Sequence, residues 1–561
     1  MIIGLDMGGT HIDGVVIQDG QVIKTHKKPV DKDDLFTTMW TALEELVEDS
    51  DLAAIERINL STTISTNAIV EGTTAPVGMV VQPGPGLIHD FSSCKGRVVT
   101  IGGYVDHRGV VVDDLDPKEL EKALLLFKKD GMPSSAVISK FSTRNPEHEI
   151  IIGKKLLEQI GQVTLGHRIS GILNFPRRVY TSYLNSAVSD QFSTFLTYMR
   201  SSLEKKGIAA PLYILKADGG TMDSEGALEK PVETVLSGPG ASFLGMSALI
   251  PGGEDAILLD VGGTTTDIFF LADGVPLFEP LGATISDYKT LVRAIYSVSI
   301  GLGGDSSITV RDKNLVIGPQ RRGMAYAFGG EGPTPTDAMI CLGRMEAPQG
   351  AKAKAREGME ALGAKVSLQA TEVATLVLAT MVTQIKEKSE ALLLGINSKP
   401  IYTIKELLHG KKVTPKAVHI IGGPAEALAP LLQEAYGLPC HFPENSRVAN
   451  AIGAALAKPT IEVTLLADTA LGRLSVPELG IYEKVPRTYS LEQAKERAVL
   501  LVRQEAIAMG SDEATLEIEI TEQSSFNMIK NSCLAGKNIR VKAQVKPGII
   551  HGLRSTITHE S

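Results

Sequence analysis

An eight-residue pattern, D-x-G-G-T-x-x-D, occurs twice in this chain of 561 residues, as DMGGTHID at 6–13 and as DVGGTTTD at 260–267. Each copy follows a short apolar run and leads into a second apolar run, which suits a buried strand that enters a tight glycine turn. The sequence therefore predicts two β-hairpins, each with a Gly-Gly-Thr turn.

Glycine turns of this kind are suited to phosphate binding, because a residue without a Cβ lets backbone N–H groups approach an anion closely. A single copy would equally suit an ordinary hairpin turn, but two matched copies favour a pair of hairpins that face one polyphosphate. Asp6 and Asp260 end their predicted strands beside these turns, where they could hold a hydrated Mg²⁺. The predicted phosphate contacts are Gly8, Gly9, Thr10, Gly262, Gly263 and Thr264.

Composition and charge narrow the class of protein. Apolar residues make up 43% of the chain and charged residues 22%, and the net charge of −9 comes without a long basic run, so nucleic acid is not an expected partner. No apolar stretch approaches the length of a membrane span, and we expect a soluble, cytoplasmic protein without a membrane partner. The four cysteines are too widely spaced for a zinc site or a disulfide framework.

The length predicts three or four domains, and the order of apolar segments predicts their class. Strands and helices alternate over residues 1–170 and again over 171–459, where we expect strands at 212–215, 256–259 and 418–421. Alternation of this kind indicates an α/β fold. Residues 460–561 change pattern, with a strand, a helix capped by Ser490 and Gln493, and a further strand, which predicts a separate small α+β domain.

Three other glycine-rich segments leave alternatives open. Residues 420–424, IIGGP, could bring backbone close to a flat nucleoside or could be a common strand-to-helix turn. Residues 300–306, IGLGGDS, could form a ligand loop or a bend. Residues 237–240, SGPG, are expected to follow a strand and begin an apolar helix, where they could contact an anion or serve as a turn.

The ordered set DMGGTHID, DVGGTTTD and IIGGP resembles the two phosphate motifs and the adenosine motif of the superfamily of actin, sugar kinases and heat-shock chaperone ATPases. A narrower resemblance lies in STTISTNAIVEG at 61–72, in the KADGG to SGPG block at 216–245 and in GPTPTDAMICLG at 332–343. These segments look like the hydantoinase A/5-oxoprolinase family, whose relatives include ATP-dependent ketone carboxylases. The resemblance covers about residues 1–457.

That resemblance implies two ribonuclease-H-like lobes, an actin-like ATPase fold, that flank a nucleotide cleft. It implies ATP and Mg²⁺ as cofactors, phosphate contacts at the two hairpins, Asp6 and Asp260 near the metal, and Gly422 and Gly423 facing the adenosine. Several further polar residues are candidates for metal, base or cleft duty, although the ends of strands, turns and helix caps are commoner roles for them. They are Asp218, which we include among the catalytic candidates, with Asp13, Asp267, Asp305, His11, Thr63, Thr66 and Asn67.

The activity implied by the resemblance is ATP-dependent opening of a cyclic amide of the hydantoin or 5-oxoproline type, through phosphoryl activation of the carbonyl oxygen. It also implies a separate hydantoinase B-type subunit as a possible partner, and we expect an oligomer. Three alternatives stay open at this point: an ATP-driven conformational switch acting on a partner protein, a ketone carboxylase subunit, and a small-molecule kinase that needs a hydroxyl acceptor and a base.

Overall fold

The computed structural model of the chain describes residues 1–31, 34–48, 50–86, 89–250, 252–398 and 412–553. Three large sheets and one smaller parallel sheet organise these residues into two α/β lobes and a small C-terminal α+β domain. The predicted fold class is confirmed. The helices of more than three residues are Leu35–Val47, Ile64–Val70, Pro117–Lys129, Glu147–Ile160, Gly166–Ile169, Phe175–Lys206, Ser224–Glu229, Ser237–Leu249, Pro335–Cys341, Gln349–Val366, Ala370–Asn397, Ala425–Tyr436, Ala449–Leu456 and Leu491–Ala508, with a short 3₁₀ helix at Pro231–Thr234.

The first lobe is built on a six-stranded sheet whose central strands are parallel. Its strands, in spatial order, are Thr221–Asp223, Leu212–Leu215, Arg57–Ser61, Ile2–Met7, His11–Gln18 and Gln21–Pro29. The prediction that strand 212–215 belongs to the second lobe is wrong, because this strand pairs in parallel with Arg57–Ser61. The long helix Phe175–Lys206 carries the chain back across the first lobe. Two strands that are far apart in the sequence therefore pair in one sheet.

The second lobe repeats this layout on another six-stranded sheet. Strand Ala256–Val261 pairs antiparallel with Thr266–Ala272 and parallel with Ala417–Ile421. Helices Ala370–Asn397 and Ala425–Tyr436 pack their apolar faces on this sheet and form a large buried core with it. The remaining strands of the sheet are Val275–Pro276, Ser297–Ile300 and Cys440–His441.

Smaller sheets complete the two lobes. A four-stranded parallel sheet is inserted in the first lobe, with strands Gly96–Thr100, Val77–Gln82, Ser134–Ser139 and Val163–Leu165 in spatial order. Three two-stranded pairs join Tyr104–Val105 to Val111–Asp113, Thr284–Ile285 to Tyr288–Lys289, and Ser306–Arg311 to Asn314–Arg321. The last of these pairs lies next to the second hairpin, as shown below.

The C-terminal domain is a five-stranded antiparallel sheet covered on one face by helix Leu491–Ala508. Its strands, in spatial order, are Ile481–Lys484, Arg473–Val476, Glu462–Asp468, Cys533–Val545 and Ile518–Lys530. Ser490 caps the helix as predicted, since its hydroxyl accepts from Gln493 N at 3.2 Å and the Gln493 side chain accepts from Ser490 N at 2.9 Å. Residues 554–561 of the predicted domain lie outside the described residues.

Two helices, Ser237–Leu249 and Ala449–Leu456, cross between the large sheets of the two lobes. They touch backbone to backbone, because a Cβ at Gly245 would lie 2.0 Å from Ala449 O and one at Gly453 would lie 2.0 Å from Ala241 O. Gly4 in the first strand is packed equally closely against the second helix. These three glycines let the two lobes meet on a thin helical layer, which brings both hairpins to the same cleft.

Among the described helices, none is by itself long and apolar enough to cross a membrane. One pair bent by 85°, Gln349–Val366 with Ala370–Asn397, meets the length and composition criteria only when the two are taken together.

Candidate nucleotide site between the two hairpins

The duplicated sequence pattern forms two hairpins with the same turn. In the first, Gly8 N donates to His11 O at 3.0 Å, and in the second Gly262 N donates to Thr265 O at 2.9 Å. A Cβ at Gly9 would meet no atom within 4 Å, so the backbone of the first turn is open on that side. The predicted hairpins are therefore confirmed, and the open backbone at Gly9 leaves room for the phosphate contact predicted there.

The register of each hairpin pairs the first aspartate of the pattern with the last. Asp6 lies opposite Asp13, and Asp260 lies opposite Asp267. Paired residues of an antiparallel ladder point to the same face of the sheet, so each hairpin presents two carboxylates together. In the eight-residue pattern D-x-G-G-T-x-x-D, the first and last aspartates thus become neighbours on one face of the hairpin, which the sequence pattern alone did not show.

Three of the four carboxylates have raised pKa values, because they are buried close to other carboxylates. The pKa of Asp6 is raised to about 7, mainly by burial and then by the charges on Asp13 and Asp260, against hydrogen bonds from Ser61 and Asn450. Burial and the charge on Asp260 likewise raise the pKa of Asp267 to about 7. Helix Ala449–Leu456 packs on Gly4 of the first strand, and its Asn450 donates to Asp260 at 3.1 Å, so the second hairpin lies close to the first sheet.

Asp260 is held by both central helices. Ser242 Oγ donates to Asp260 Oδ2 at 2.7 Å, and Asn450 Nδ2 donates to the same oxygen at 3.1 Å. Because Asn450 also bonds to Asp6, its amide lies between the two predicted metal ligands. The sequence analysis did not single out Asn450.

The first hairpin carries two further polar groups. Lys27 Nζ lies 2.7 Å from Asp13 Oδ1, and this ammonium opposes the burial that raises the pKa of Asp13. His11 Nδ1 lies 3.1 Å from Thr10 Oγ1. Burial lowers the pKa of His11, and the positive charges of Lys27 and Arg321 lower it further.

The glycine segment 300–306 packs directly on the second hairpin. Gly304 N donates to Gly262 O at 2.9 Å and Asp305 N donates to Gly263 O at 2.7 Å, so this segment supports the turn from outside. Asp305 Oδ2 in turn lies 2.9 Å from the guanidinium of Arg321. This places a cation beside the second hairpin that the sequence analysis missed, because only the pairing of Ser306–Arg311 with Asn314–Arg321 returns Arg321 to the loop.

The predicted adenosine segment lies against the same turn. Gly422 has φ +99°, and a Cβ there would lie 2.2 Å from Val261 O and 3.2 Å from Asp260 Oδ1. Gly423, by contrast, would meet nothing within 4 Å, so its surface is open. The first glycine is thus explained by close approach of two strands, and the second leaves room beside helix Ala425–Tyr436.

The segments 61–67 and 237–240 are packed against each other. Leu236 N donates to Thr66 Oγ1 at 3.0 Å, and Ser237 Oγ lies 3.2 Å from Ser61 Oγ. Thr63 begins helix Ile64–Val70 and its Oγ1 accepts from Asn67 Nδ2 at 3.3 Å. The strand expected before SGPG is wrong, because a 3₁₀ helix at Pro231–Thr234 precedes it.

Asp218 is not brought together with the hairpins. Its carboxylate accepts from Gly220 N at 2.9 Å and its Oδ2 lies 3.4 Å from Lys216 Nζ, in a cavity that contains no hairpin residue. Although burial acts to raise the pKa of Asp218, the charges of Lys216 and Arg293 hold it below its ordinary value. The role of Arg293 was not predicted, because it is distant in sequence from the KADGG motif, whereas Lys216 belongs to that motif.

The cleft can accommodate a Mg²⁺ ion only with help from other ligands. Within the part of the chain that the structure describes, no three histidine, cysteine, aspartate or glutamate side chains converge as a metal-binding group. Mg²⁺ commonly takes one or two carboxylates and completes its shell with water and substrate phosphates. The mutual repulsion of Asp6 and Asp260 is the feature that fits a bound cation here.

Two family profiles match the chain. The profile for the hydantoinase/oxoprolinase N-terminal region matches residues 2–160, and the hydantoinase/oxoprolinase profile matches residues 178–463. Together the two matches contain both hairpins, the central helices and the glycine segment at 422–423.

Curated relatives match over shorter stretches. The acetophenone carboxylase gamma subunit of Aromatoleum aromaticum is 23% identical over 394 residues, which are 61% of this chain and 53% of that protein. The 5-oxoprolinase PfmaA of Pestalotiopsis fici is 25% identical over 418 residues, which are 61% of this chain and 31% of the relative. An uncharacterized protein of Methanocaldococcus jannaschii is 26% identical over 263 residues, 43% of this chain and 38% of the relative. The chain therefore spans about half or less of the length of these relatives.

Two solved structures share the whole architecture. A nucleotide-free acetone carboxylase covers 99% of this chain and 88% of its own, with a TM-score of 0.70 and 14% identity. The ATP-dependent caprolactamase from Pseudomonas jessenii covers 97% and 87%, with a TM-score of 0.69 and 19% identity. These likenesses confirm the fold of two α/β lobes with a small C-terminal domain. With its paired hairpins and the match of both family profiles, the chain belongs to the hydantoinase/oxoprolinase family.

Proposed function

We propose that this chain binds ATP between the two hairpins and uses its γ-phosphoryl group to activate the carbonyl oxygen of a cyclic amide for ring opening. The observation that carries the proposal is the pair of matched hairpins, each with a Gly-Gly-Thr turn and two aspartates in register. Family membership and the names of the relatives, among them a 5-oxoprolinase and an ATP-dependent caprolactamase, support it.

In the proposed reaction the amide oxygen forms a bond to the γ-phosphorus while the bond between that phosphorus and the β–γ bridging oxygen breaks and releases ADP. Water adds to the activated carbon, the C–N bond breaks and the nitrogen takes up a proton, leaving an acyl phosphate. A second water releases phosphate and leaves the carboxylate. One ATP and two waters are thus consumed for each ring opened.

The residues of the chain act by position and charge. Backbone N–H groups of the two turns would bind the phosphates, and enzymes of this kind gain most of their rate from such preorganised groups. A bound Mg²⁺ would neutralise phosphate charge, and Asp6 and Asp260 are its proposed ligands. Asn450 and Ser242 hold Asp260 in place, while Arg321 and Lys27 supply positive charge beside Asp305 and Asp13.

The adenosine would lie by Gly423, where the backbone is open beside the second hairpin. The domain division 1–170, 171–459 and 460–561 stays a proposal, in which strands Leu212–Leu215 and Thr221–Asp223 of the second unit complete the sheet of the first. A hydantoinase B-type subunit and an oligomeric assembly are proposed partners, which fits the subunit name of the acetophenone carboxylase relative.

The test is to measure ADP and phosphate release by the purified chain with Mg²⁺ and ATP, with hydantoin, 5-oxoproline or caprolactam, while ring opening is followed in parallel. Coupled ADP release and ring opening is the expected result, in the isolated chain or after addition of a B-type subunit. An absence of ATP binding to the chain would contradict the proposal at its first step.

A second candidate is activation of a ketone for carboxylation, favoured by the similarity to the acetophenone carboxylase gamma subunit over 61% of this chain. The same cleft would then phosphorylate the oxygen of an enolised ketone. Incorporation of labelled bicarbonate into product, without C–N cleavage, distinguishes this candidate from ring opening.

A further inference from the structure

The turn of the second hairpin carries an ion pair on one side. A Cβ at Gly263 would lie 2.9 Å from Asp305 Oδ2 and 3.5 Å from Asp305 Cγ, so this carboxylate fills the space beside a predicted phosphate contact. The same oxygen lies 2.9 Å from the guanidinium of Arg321. A carboxylate alone would repel a phosphate at this turn, because like charges held close together are costly. The guanidinium offsets this repulsion and brings a cation to the turn.

The position of Asp305 is fixed by backbone hydrogen bonds. Asp305 N donates to Gly263 O at 2.7 Å, which ties the residue to the turn itself. Gly304 O, one residue earlier, accepts from Thr336 N at 2.7 Å and from Thr336 Oγ1 at 2.8 Å. Thr336 belongs to the segment GPTPTDAMICLG, which the proposed function has not used so far. The carboxylate that accepts from Arg321 is therefore held in place beside Gly263.

Arg321 keeps hydrogen-bond donors for a ligand. Its Nε donates to Gly323 O at 2.9 Å, and one terminal nitrogen donates to Asp305 Oδ2 at 2.9 Å. A guanidinium has five N–H donors in a planar fork, and within the described part of the chain only these two groups accept from Arg321. The side chain is 26% exposed. Three donors of an oriented fork thus remain for an anion that enters the cleft.

The charge of Arg321 also acts on the first hairpin. Burial lowers the pKa of His11, and the charges of Lys27 and Arg321 lower it further. His11 belongs to the first phosphate motif, whereas Arg321 is bonded to the loop that supports the second. A cation near both turns is well placed for a phosphate that both turns contact.

We propose that Arg321 binds the terminal phosphate of the nucleotide and thereby makes the cleft prefer ATP to ADP. A planar guanidinium can donate to two oxygens of one phosphate, and the terminal phosphate of ATP carries the most charge and the most non-bridging oxygens. ADP lacks this group, so the free donors of Arg321 are left with water. The inference rests on the proposed function in one respect, since it takes the polyphosphate to lie between the hairpins, and it holds for any substrate.

The experiment measures the affinity of the full chain for ADP and for the β,γ-imido analogue of ATP, by calorimetry with Mg²⁺ and without a cyclic amide. Arg321→Gln should weaken binding of the analogue about tenfold or more, the scale of losing a charged hydrogen bond, and should weaken binding of ADP less than about twofold. Arg322→Gln is the matched control, because Arg322 is the next residue and is exposed. This control should change neither affinity.

Two further variants test the geometry. Arg321→Lys keeps the experiment decisive if Arg321→Gln does not fold, because lysine keeps a positive charge beside Asp305. Lysine has no planar fork, so this variant should still lose about threefold or more of the preference for the analogue. Asp305→Asn should keep most of the preference, because the amide oxygen can still accept from Arg321.

Three results would overturn the inference. The first is an unchanged preference for the analogue in Arg321→Gln, and the second is an equal loss of affinity for both nucleotides in that variant. The third is loss of Mg²⁺-dependent binding in Asp305→Asn with normal binding in Arg321→Gln, because Asp305 would then be a metal ligand. A wild type that binds neither nucleotide would overturn the proposed function as well, whereas a preference that only Arg321 supplies supports the inference even if no ring is opened.

Discussion

Replacement of Asp6 by asparagine should make the nucleotide-free protein more stable at pH 8 while it abolishes most of the ATP turnover. Asp6 is 5% exposed and shares the cleft with Asp13 and Asp260. Ionisation of the Asp6 carboxyl is unfavourable, mainly because the carboxyl is buried and also because Asp13 and Asp260 are negatively charged. Asparagine has the same shape and no charge, so it removes this cost and keeps the contacts with Ser61 and Asn450.

The magnitude follows from the raised pKa. A folded-state pKa of about 7 against 3.8 for the free group corresponds to about 4 kcal/mol in the free energy of unfolding. Because the pKa of Asp6 is raised in the folded state, the protonated carboxyl contributes to the free energy of unfolding. This contribution is complete below pH 3.8 and is lost as the pH rises to about 7. At pH 8 the variant should therefore gain up to about 4 kcal/mol over the wild type, or roughly 3 °C in Tm if the whole chain unfolds together.

The assay is thermal unfolding of wild type and Asp6→Asn at pH 5 and pH 8, without nucleotide or divalent cation. The difference in Tm should be largest at pH 8, and at pH 5 it should be about 40% of that value because the unfolded carboxyl is already ionised there. Asp190→Asn serves as the control, since Asp190 is exposed on helix Phe175–Lys206. In parallel, ATP turnover of Asp6→Asn should fall about two to three orders of magnitude, the scale of losing one preorganised group.

The reasoning is refuted if Asp6→Asn is no more stable than the wild type at pH 8, or if the two proteins show the same dependence on pH. Wild-type ATP turnover in the variant would refute the assignment of the cleft as well. Asp267→Asn offers an internal comparison, because burial and Asp260 raise the pKa of Asp267 to about 7 also.

Three further outcomes are expected. Asp260→Asn should lower ATP turnover by about two to three orders of magnitude in a phosphate-release assay, and wild-type turnover would contradict its role. Arg321→Gln should raise the apparent KM for ATP. It should also raise the pKa of His11, measured by NMR titration, because it removes a positive charge that lowers this pKa. An unchanged pKa of His11 would show that the charge of Arg321 does not reach the first hairpin. Gly422→Ala should reduce ATP binding and Tm, since its Cβ would lie 2.2 Å from Val261 O at φ +99°, and a variant with wild-type binding and stability would contradict that close approach.

Local chemistry determined the parts of the fold that sequence analysis predicted. The two hairpins follow from Gly-Gly-Thr turns between apolar runs, and the capped helix at Leu491–Ala508 follows from Ser490 and Gln493. In each case a few adjacent residues suffice, because turn conformation and helix capping depend on neighbours along the chain. The resemblance to a family then supplied the two-lobe arrangement, which periodicity alone could not.

The tertiary structure determined which residues from distant parts of the chain are in contact. Strand Leu212–Leu215 joined the first sheet, Arg321 reached the second hairpin, and Asn450 came to lie between Asp6 and Asp260. Each of these contacts links residues distant along the chain, and local propensity carries no information about such pairs. The sequence by itself therefore determined that the chain carries two phosphate-type hairpins. Only the packing of both lobes on two glycine-containing helices brought their four carboxylates into one cleft and placed Asp218 in another, because burial and charge are properties of the assembled fold.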